Sequence, residues 1–381
     1  MLEVFQLTNA QLGDIFAMYG VIALLSYFPG GALADRFSAR SLMAMSLVAT
    51  ALGGAYLYTL PGLVGLYAVF AYWGMTSILL FWAALIKATR DWGSEHTQGV
   101  AFGVLDGGRG LVASLLASMA VVILGARLAA GETNAEALQW VILYYCCATL
   151  SVAALVWFAL PRGSVSVTPS DTDTRAHWRR VVGERSAWLQ AGIVVCAYCG
   201  YKSLDNYGVY AVEVLDMSQV EAAALTTYAS YSRPLAAVAA GLWADRWRSS
   251  KLVGLMFAVA GLAFFMLGQD VAMRMSSVVL LLNVLITFVA VYALRGIYFS
   301  LIEEAQVDRE ITGSAVGLIS LLGFTPDIFF AAIAGRILDA NPGLVGFQHY
   351  FIMLSAISIV GMLLTLALSR RLLLQRGLRP R

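Results

Sequence analysis

Charge is what this sequence is short of. Only 13% of its 381 residues are Asp, Glu, Lys or Arg, against about a quarter in soluble domains, while 60% are hydrophobic. A water-soluble fold of this size could not cover itself with so few polar side chains, so a soluble globular protein is excluded. The formal net charge is only +2, and the basic residues are scattered, which leaves no footprint for nucleic acid. Histidine is scarcer still. His96, His177 and His349 all fall in loops or near helix ends, so no clustered catalytic or metal-ligating set is available, and neither a metal nor a cofactor is expected. The four cysteines, Cys146, Cys147, Cys196 and Cys199, lie inside apolar runs and imply no disulfide framework. Cys196 and Cys199 have redox-like spacing, yet in a hydrophobic helix they read as small buried side chains. The first nine residues carry Glu3 and no positive stretch, so no cleavable signal peptide is expected.

What is abundant is long apolar runs. A hydrocarbon core of about 30 Å needs roughly 20 apolar residues per helix. Eleven runs meet that rule, at 12–34, 42–60, 63–87, 99–126, 138–160, 188–212, 222–243, 252–267, 276–302, 313–338 and 347–368. Residues 161–185 break the series with Ser, Thr, Asp and arginines and read as a polar linker. This predicts an all-α membrane protein of two helical bundles: 1–160 with five helices and 186–381 with six.

A short charged turn organises both halves. Gly31-Ala-Leu-Ala-Asp35-Arg36-Phe37 recurs as Gly241-Leu-Trp-Ala-Asp245-Arg246-Trp247, an offset of 210 residues. Leu85-Ile86-Lys87 and Leu301-Ile302-Glu303 repeat at nearly the same offset, as do the glycines that open the next span, at 99–103 and 313–317. The chain is therefore a duplication. Two spans precede the turn in the second half but one in the first, so the first half is expected to lack its opening helix, through a start assigned at an internal methionine or a truncation. If the turns are cytoplasmic, eighteen basic residues from Arg36 to Arg381 share that side, against Arg127 and Arg274 on the other. Positive-inside bias then places the N-terminus outside and both the linker and the C-terminus inside.

The turn and the duplication resemble the major facilitator superfamily, whose signature is a Gly-x-Leu-Ala-Asp-Arg-aromatic turn between its second and third helices and a degenerate copy between the eighth and ninth. Gly31, Leu33, Ala34, Asp35, Arg36, Phe37 and Arg40 match; Ser38 replaces the usual glycine and Ala39 a basic residue. The resemblance extends over essentially the whole chain and implies helices two to twelve of a transporter of the bacterial inner-membrane permease kind. It implies a cytoplasmic gate at Gly31, Asp35, Arg36, Arg40, Asp245 and Arg246, and a cavity lined by the family's helices one, four, seven and ten, of which four, seven and ten are present here.

Charges inside the runs are costly, at least about 2.5 kcal/mol each at mid-membrane, and mark candidate sites. Those set away from the ends of the runs are Asp106, Arg109, Lys202, Asp205, Arg233, Arg295 and Asp327. Asp106 with Arg109 and Lys202 with Asp205 are three apart and can pair on one helix face; Arg233 and Arg295 have no such neighbour, and Asp327 could serve either. The positive surplus favours an anionic or zwitterionic solute, for which Arg109, Lys202 and Arg295 with the aromatic Trp73 and Tyr201 are the expected cavity residues. Asp106, Asp205, Arg233 and Asp327 are expected as ion pairs or proton-coupling groups. Glycines 99, 103, 107, 108 and 110 suggest a close-packing helix face. The expected function is secondary active transport of a small polar, anionic solute by a monomer in the lipid bilayer, coupled to a proton or counter-solute. A non-transporting sensor or scaffold, or an inactive truncated transporter, is the alternative.

Overall fold

The computed structural model describes residues 1–92, 98–161, 182–246, 248–269, 276–305 and 318–377. Among them the structure is helical, with no strand. The first half runs α1 (Leu2–Phe5), α2 (Asn9–Arg36), α3 (Ala39–Tyr58), α4 (Leu63–Met75), a π-helix at Thr76–Trp82, α5 (Ala83–Trp92), α6 (Gln98–Ala129) and α7 (Asn134–Ala159). The second runs α8 (Arg185–Ser203), a 3-10 turn at Leu204–Asn206, α9 (Tyr207–Glu213), α10 (Gln219–Ser230), α11 (Ser232–Arg246), α12 (Ser249–Leu267), α13 (Ser277–Ile297), α14 (Ser300–Glu304), α15 (Pro326–Ala340) and α16 (Leu344–Gly377).

Nine helices among the described residues are long and apolar enough to cross a membrane. The predicted spans 188–212 and 222–243 are instead each divided in two, so single helices do not reach the predicted count of eleven. Their breaks have local causes. The first falls at the polar run Lys202 to Asn206, where the freed Ser203 carbonyl accepts a hydrogen bond from the Tyr350 hydroxyl at 3.0 Å, replacing an intrahelical partner that apolar surroundings cannot supply. The second falls at Tyr231, just before Pro234, whose ring has no N–H and displaces the preceding turn.

Helix starts carry the duplication at atomic detail. Thr8 and Gln11 form a capping box on α2, and Ser218 and Glu221 form one on α10, again 210 residues apart. In each, the hydroxyl accepts the N–H three residues on while the longer side chain accepts the N–H of the capping residue, satisfying two backbone donors that the helix leaves open.

The chain divides into two compact units, Met1–Ser170 with Asp327–Arg336, and Asp171–Pro326 with Ile337–Arg381. In the first, Ile15, Leu57, Leu66, Val69, Phe70 and Ile142 form one apolar core, and Leu42, Met43, Ala44, Ala84 and Val156 a second. In the second unit α12 packs along α16 and α11 along α13, around a core that includes Val194, Phe257, Leu294 and Ile319.

Candidate functional site

The second unit gathers positive charge onto tyrosine. Arg295, near the end of α13, lays its guanidinium 3.8 Å from the centre of the Tyr201 ring and 5.8 Å from that of Tyr198. Tyr198 and Tyr201 sit three apart on α8 with ring centres 5.6 Å apart, and Phe324 backs Tyr198 at 5.0 Å. Arg233, at the second position of α11, faces the Tyr292 ring at 6.0 Å, and Tyr292 lies 6.4 Å from Tyr201. The Tyr292 hydroxyl is held by Ser230, at the end of α10. Planar guanidinium on an aromatic face is a geometry lysine cannot copy. Two arginines on helices two apart in the chain, α11 and α13, are thereby held against one tyrosine cluster, beside the two places where spans are broken.

Lys202 and Asp205 meet at 3.0 Å across the first break, as their three-residue spacing predicts. The Lys202 side chain is about one-fifth exposed and that of Asp205 more than half, so the pair is wet on one side. Asn206 donates to Tyr350 at 3.0 Å, pinning the 3-10 turn to α16.

In the first unit, Arg109 on α6 faces the Trp82 ring at 5.4 Å. Trp82 ends the π-helix, where the wider turn loosens backbone carbonyls. Hydroxyls take these up: Ser46 donates to the Thr76 carbonyl at 2.7 Å and Ser77 to that of Trp73 at 2.6 Å, while Tyr19 and Ser77 share a hydrogen bond of 3.0 Å. Trp73 packs edge-on to Phe70 and gives its indole N–H to the Thr50 carbonyl at 3.0 Å, which places it between α3 and α4. Asp327 groups with this unit, although the sequence offered it to Arg233 or Arg295. There Tyr27 lies within electrostatic range of both Asp327 and Arg109. The side chain of Asp106, on α6, lies outside the described residues.

Of the gate residues, Gly31, Asp35 and Arg36 close α2, and Asp245 and Arg246 close α11; their side chains lie outside the described residues. The N-cap of α3 is Ser38, whose hydroxyl accepts the Ser41 N–H. Arg40 lies over the Trp157 ring at 4.7 Å. In the second copy the helix start is held by a residue that the motif does not contain. Glu304, its side chain only 7% exposed, accepts the Ser250 N–H at 2.7 Å, the Ser250 hydroxyl at 3.0 Å and Arg248 Nε at 2.9 Å. A carboxylate at a helix N-terminus meets unsatisfied N–H groups and a favourable dipole. Its neighbour Glu303 belongs to the sequence repeat, and nothing in the local pattern distinguishes the two.

Close helix approach is set by α2. A Cβ at Gly13 would strike the backbone of Ala331, and one at Gly20 that of Asp327. Gly107 and Gly108 of α6 behave otherwise: among the described residues, a Cβ at either meets nothing within 4 Å. Asp14 and Arg336, outside every sequence pattern, form an ion pair at 2.8 Å in this same crossing.

Comparison with known proteins agrees with this architecture. Residues 1–325 match the family model described as Major Facilitator Superfamily. Inner membrane protein YihN of Escherichia coli (strain K12) is 26% identical over 383 residues, covering 98% of this chain and 89% of that protein. Inner membrane protein YqcE of the same organism is 24% identical, covering 91% and 83%. Among solved structures, a bacterial homolog of the human lysosomal transporter Spinster superposes with a TM-score of 0.74 at 15% identity, covering 98% of this chain and 91% of that one. The nucleoside transporter NupG superposes with a TM-score of 0.69 at 13% identity, covering 97% and 92%. A multi-pass inner-membrane protein with a transporter fold, the chain belongs to the major facilitator superfamily.

Proposed function

We propose that this protein is a secondary active transporter of a small anionic organic solute. The observation that carries the reading is Arg295 stacked on Tyr201, with Arg233 on Tyr292 close by. A guanidinium resting on an aromatic face turns its planar, forked edge outward in the geometry that suits a carboxylate, phosphate or sulfonate, and the ring keeps it oriented at little entropic cost. The position is also apt, because α8 and α11 end or begin at breaks, and transporter binding sites are commonly built where membrane helices are discontinuous. Within the second unit Lys202 supplies further positive charge; within the first, Arg109 on the Trp82 ring is a candidate of the same kind, with Trp73 bracing the helix that leads to Trp82.

Asp205, Asp106 and Asp327 are the candidate proton-coupling groups, since protonation of any one would raise the local positive charge and tighten anion binding. The turns at Gly31, Asp35, Arg36 and Arg40, and at Asp245 and Arg246, act as the cytoplasmic gate of a monomer. The charge bias along the sequence supports an outside N-terminus and an inside C-terminus.

Thermal-shift and vesicle-uptake screening against small anionic and neutral metabolites tests this. Arg295→Ala and Lys202→Ala should remove the response to the anionic hit. A neutral solute bound equally by wild type and both variants would overturn the anionic reading.

A further inference from the structure

The surface of the first unit carries a second site, apart from the tyrosine cluster and next to the turn that holds Arg40. Between α3 and α7 runs an apolar groove of about 560 Å³. Met45, Val48 and Leu52 form one wall; Ala154, Trp157 and Phe158 form the other. The groove is open: Phe158 is 83% exposed, Leu52 63% and Met45 59%. Ala44 and Ala153, both buried, lie on its inner side. From Met45 to Leu52 it extends seven residues, about 10 Å at 1.5 Å per residue, which lies within one leaflet of a hydrocarbon core about 30 Å thick.

One end of this groove is charged. Arg40, in the first turn of α3, places its guanidinium on the ring of Trp157, the same side chain that closes the groove wall. Its Nε is buried and meets no hydrogen-bond acceptor among the described residues. A guanidinium carries five donors and no acceptor, and its fork matches a phosphate diester. Trp157 fixes that fork at the level where α3 begins and α7 ends, which is where headgroups lie.

We propose that this groove is a specific binding site for an anionic phospholipid, its phosphate on Arg40 and one acyl chain along Met45, Val48 and Leu52. The match is one of charge and length together. A zwitterionic lipid would bring its own cation to Arg40, and a soluble phosphate would leave the groove empty.

Native mass spectrometry of the purified full chain decides it, with phosphatidylglycerol and phosphatidylcholine of identical acyl chains as probes. Wild type should retain phosphatidylglycerol about tenfold more strongly, as charge-assisted hydrogen bonds of roughly 1.4 kcal/mol require. Arg40→Gln should abolish that preference and Arg40→Lys should keep part of it. Ala154→Phe, which fills the exposed wall, should reduce retention of both lipids. If Arg40→Gln is not recovered folded, Arg40→Lys and Ala154→Phe decide alone. Equal retention of both lipids by wild type, a preference untouched by Arg40→Gln, a dimer in place of bound lipid, or equally tight binding of glycerol phosphate would each overturn the proposal.

Discussion

Arg336 grips Asp14 with both arms of its guanidinium: Nη1 lies 2.8 Å from Oδ1 and Nη2 3.1 Å from Oδ2, between residues 322 positions apart in the chain. Nη1 also donates to the Ala332 carbonyl one turn back, which fixes the fork before it meets the carboxylate. The pair is solvent-accessible, with side chains 57% and 35% exposed, so its contribution to stability is screened. Asp14→Ala and Arg336→Ala should therefore lower the melting temperature slightly and equally, and the double variant no further. The charge swap Asp14→Arg with Arg336→Asp should recover part of the loss. Melting curves in about 1 M salt, where the screening length is about 3 Å, should erase the differences; a salt-independent loss would show that the pair acts through packing.

Beside that pair, Gly20 passes so close to the backbone of Asp327 that a methyl group cannot fit. Gly20→Ala should cost about 1–3 kcal/mol through overpacking, read as a lower melting temperature and faster proteolysis. Gly108→Ala is the matched control, because a Cβ there meets nothing among the described residues and alanine favours a helix. An equal loss in both variants would contradict this assignment of the tight crossing.

Substitutions at the tyrosine cluster separate charge from geometry. Arg295→Lys keeps the cation but loses the planar fork that rests on Tyr201, and should weaken binding of the anionic solute by about tenfold or more. Tyr201→Leu keeps bulk and removes the ring face, at about 0.5–2 kcal/mol, so a smaller loss is expected. Isothermal titration with the solute found by screening measures both.

Glu304 ties α14 to the start of α12 through three donors. Its carboxylate is buried, so Glu304→Ala leaves Arg248 and the Ser250 N–H without their acceptor and should cost roughly 2–4 kcal/mol. Glu304→Gln should recover part of that through its remaining carbonyl. Chemical denaturation of the purified protein checks the order, and Glu303→Ala serves as the neighbouring control.

At the end of α9, partial burial and then the nearby charge of Asp339 push the Glu213 carboxyl above its ordinary range. A raised folded-state pKa means that the protonated form is the one favoured by folding, so the benefit is full below the unfolded value of about 4.3 and is lost as pH rises through the folded value. Glu213→Gln should therefore raise the melting temperature near neutral pH and match wild type at pH about 4. A gap that stayed constant across that range would disprove the linkage.

Much of the architecture is legible in the chain because membrane insertion is decided by runs of apolar residues, and these are one-dimensional. The duplicated turn and the lead-ins at Thr8 and Ser218 could be read for the same reason: capping and topology depend on residues three or four apart. The Lys202 and Asp205 pair follows from that spacing too. The breaks inside two spans were less visible, although the polar run from Lys202 to Asn206 and Pro234 beside Arg233 mark them in retrospect. The π-helix at Thr76–Trp82 leaves no such mark, since it depends on the Ser46 hydroxyl of α3 capturing the Thr76 carbonyl and on Tyr19 of α2 holding the Ser77 hydroxyl.

Composition, periodicity and a repeated motif thus determined class, duplication and which residues carry charge where charge is expensive. Only the tertiary structure decided what those charges face. That Arg295 rests on Tyr201, that Asp327 groups with the first unit, that Glu304 holds Ser250, and that Arg336 reaches Asp14 are all contacts between distant segments. Such contacts are set by the angle and depth at which helices cross, and those depend on packing shape, which no local spacing encodes.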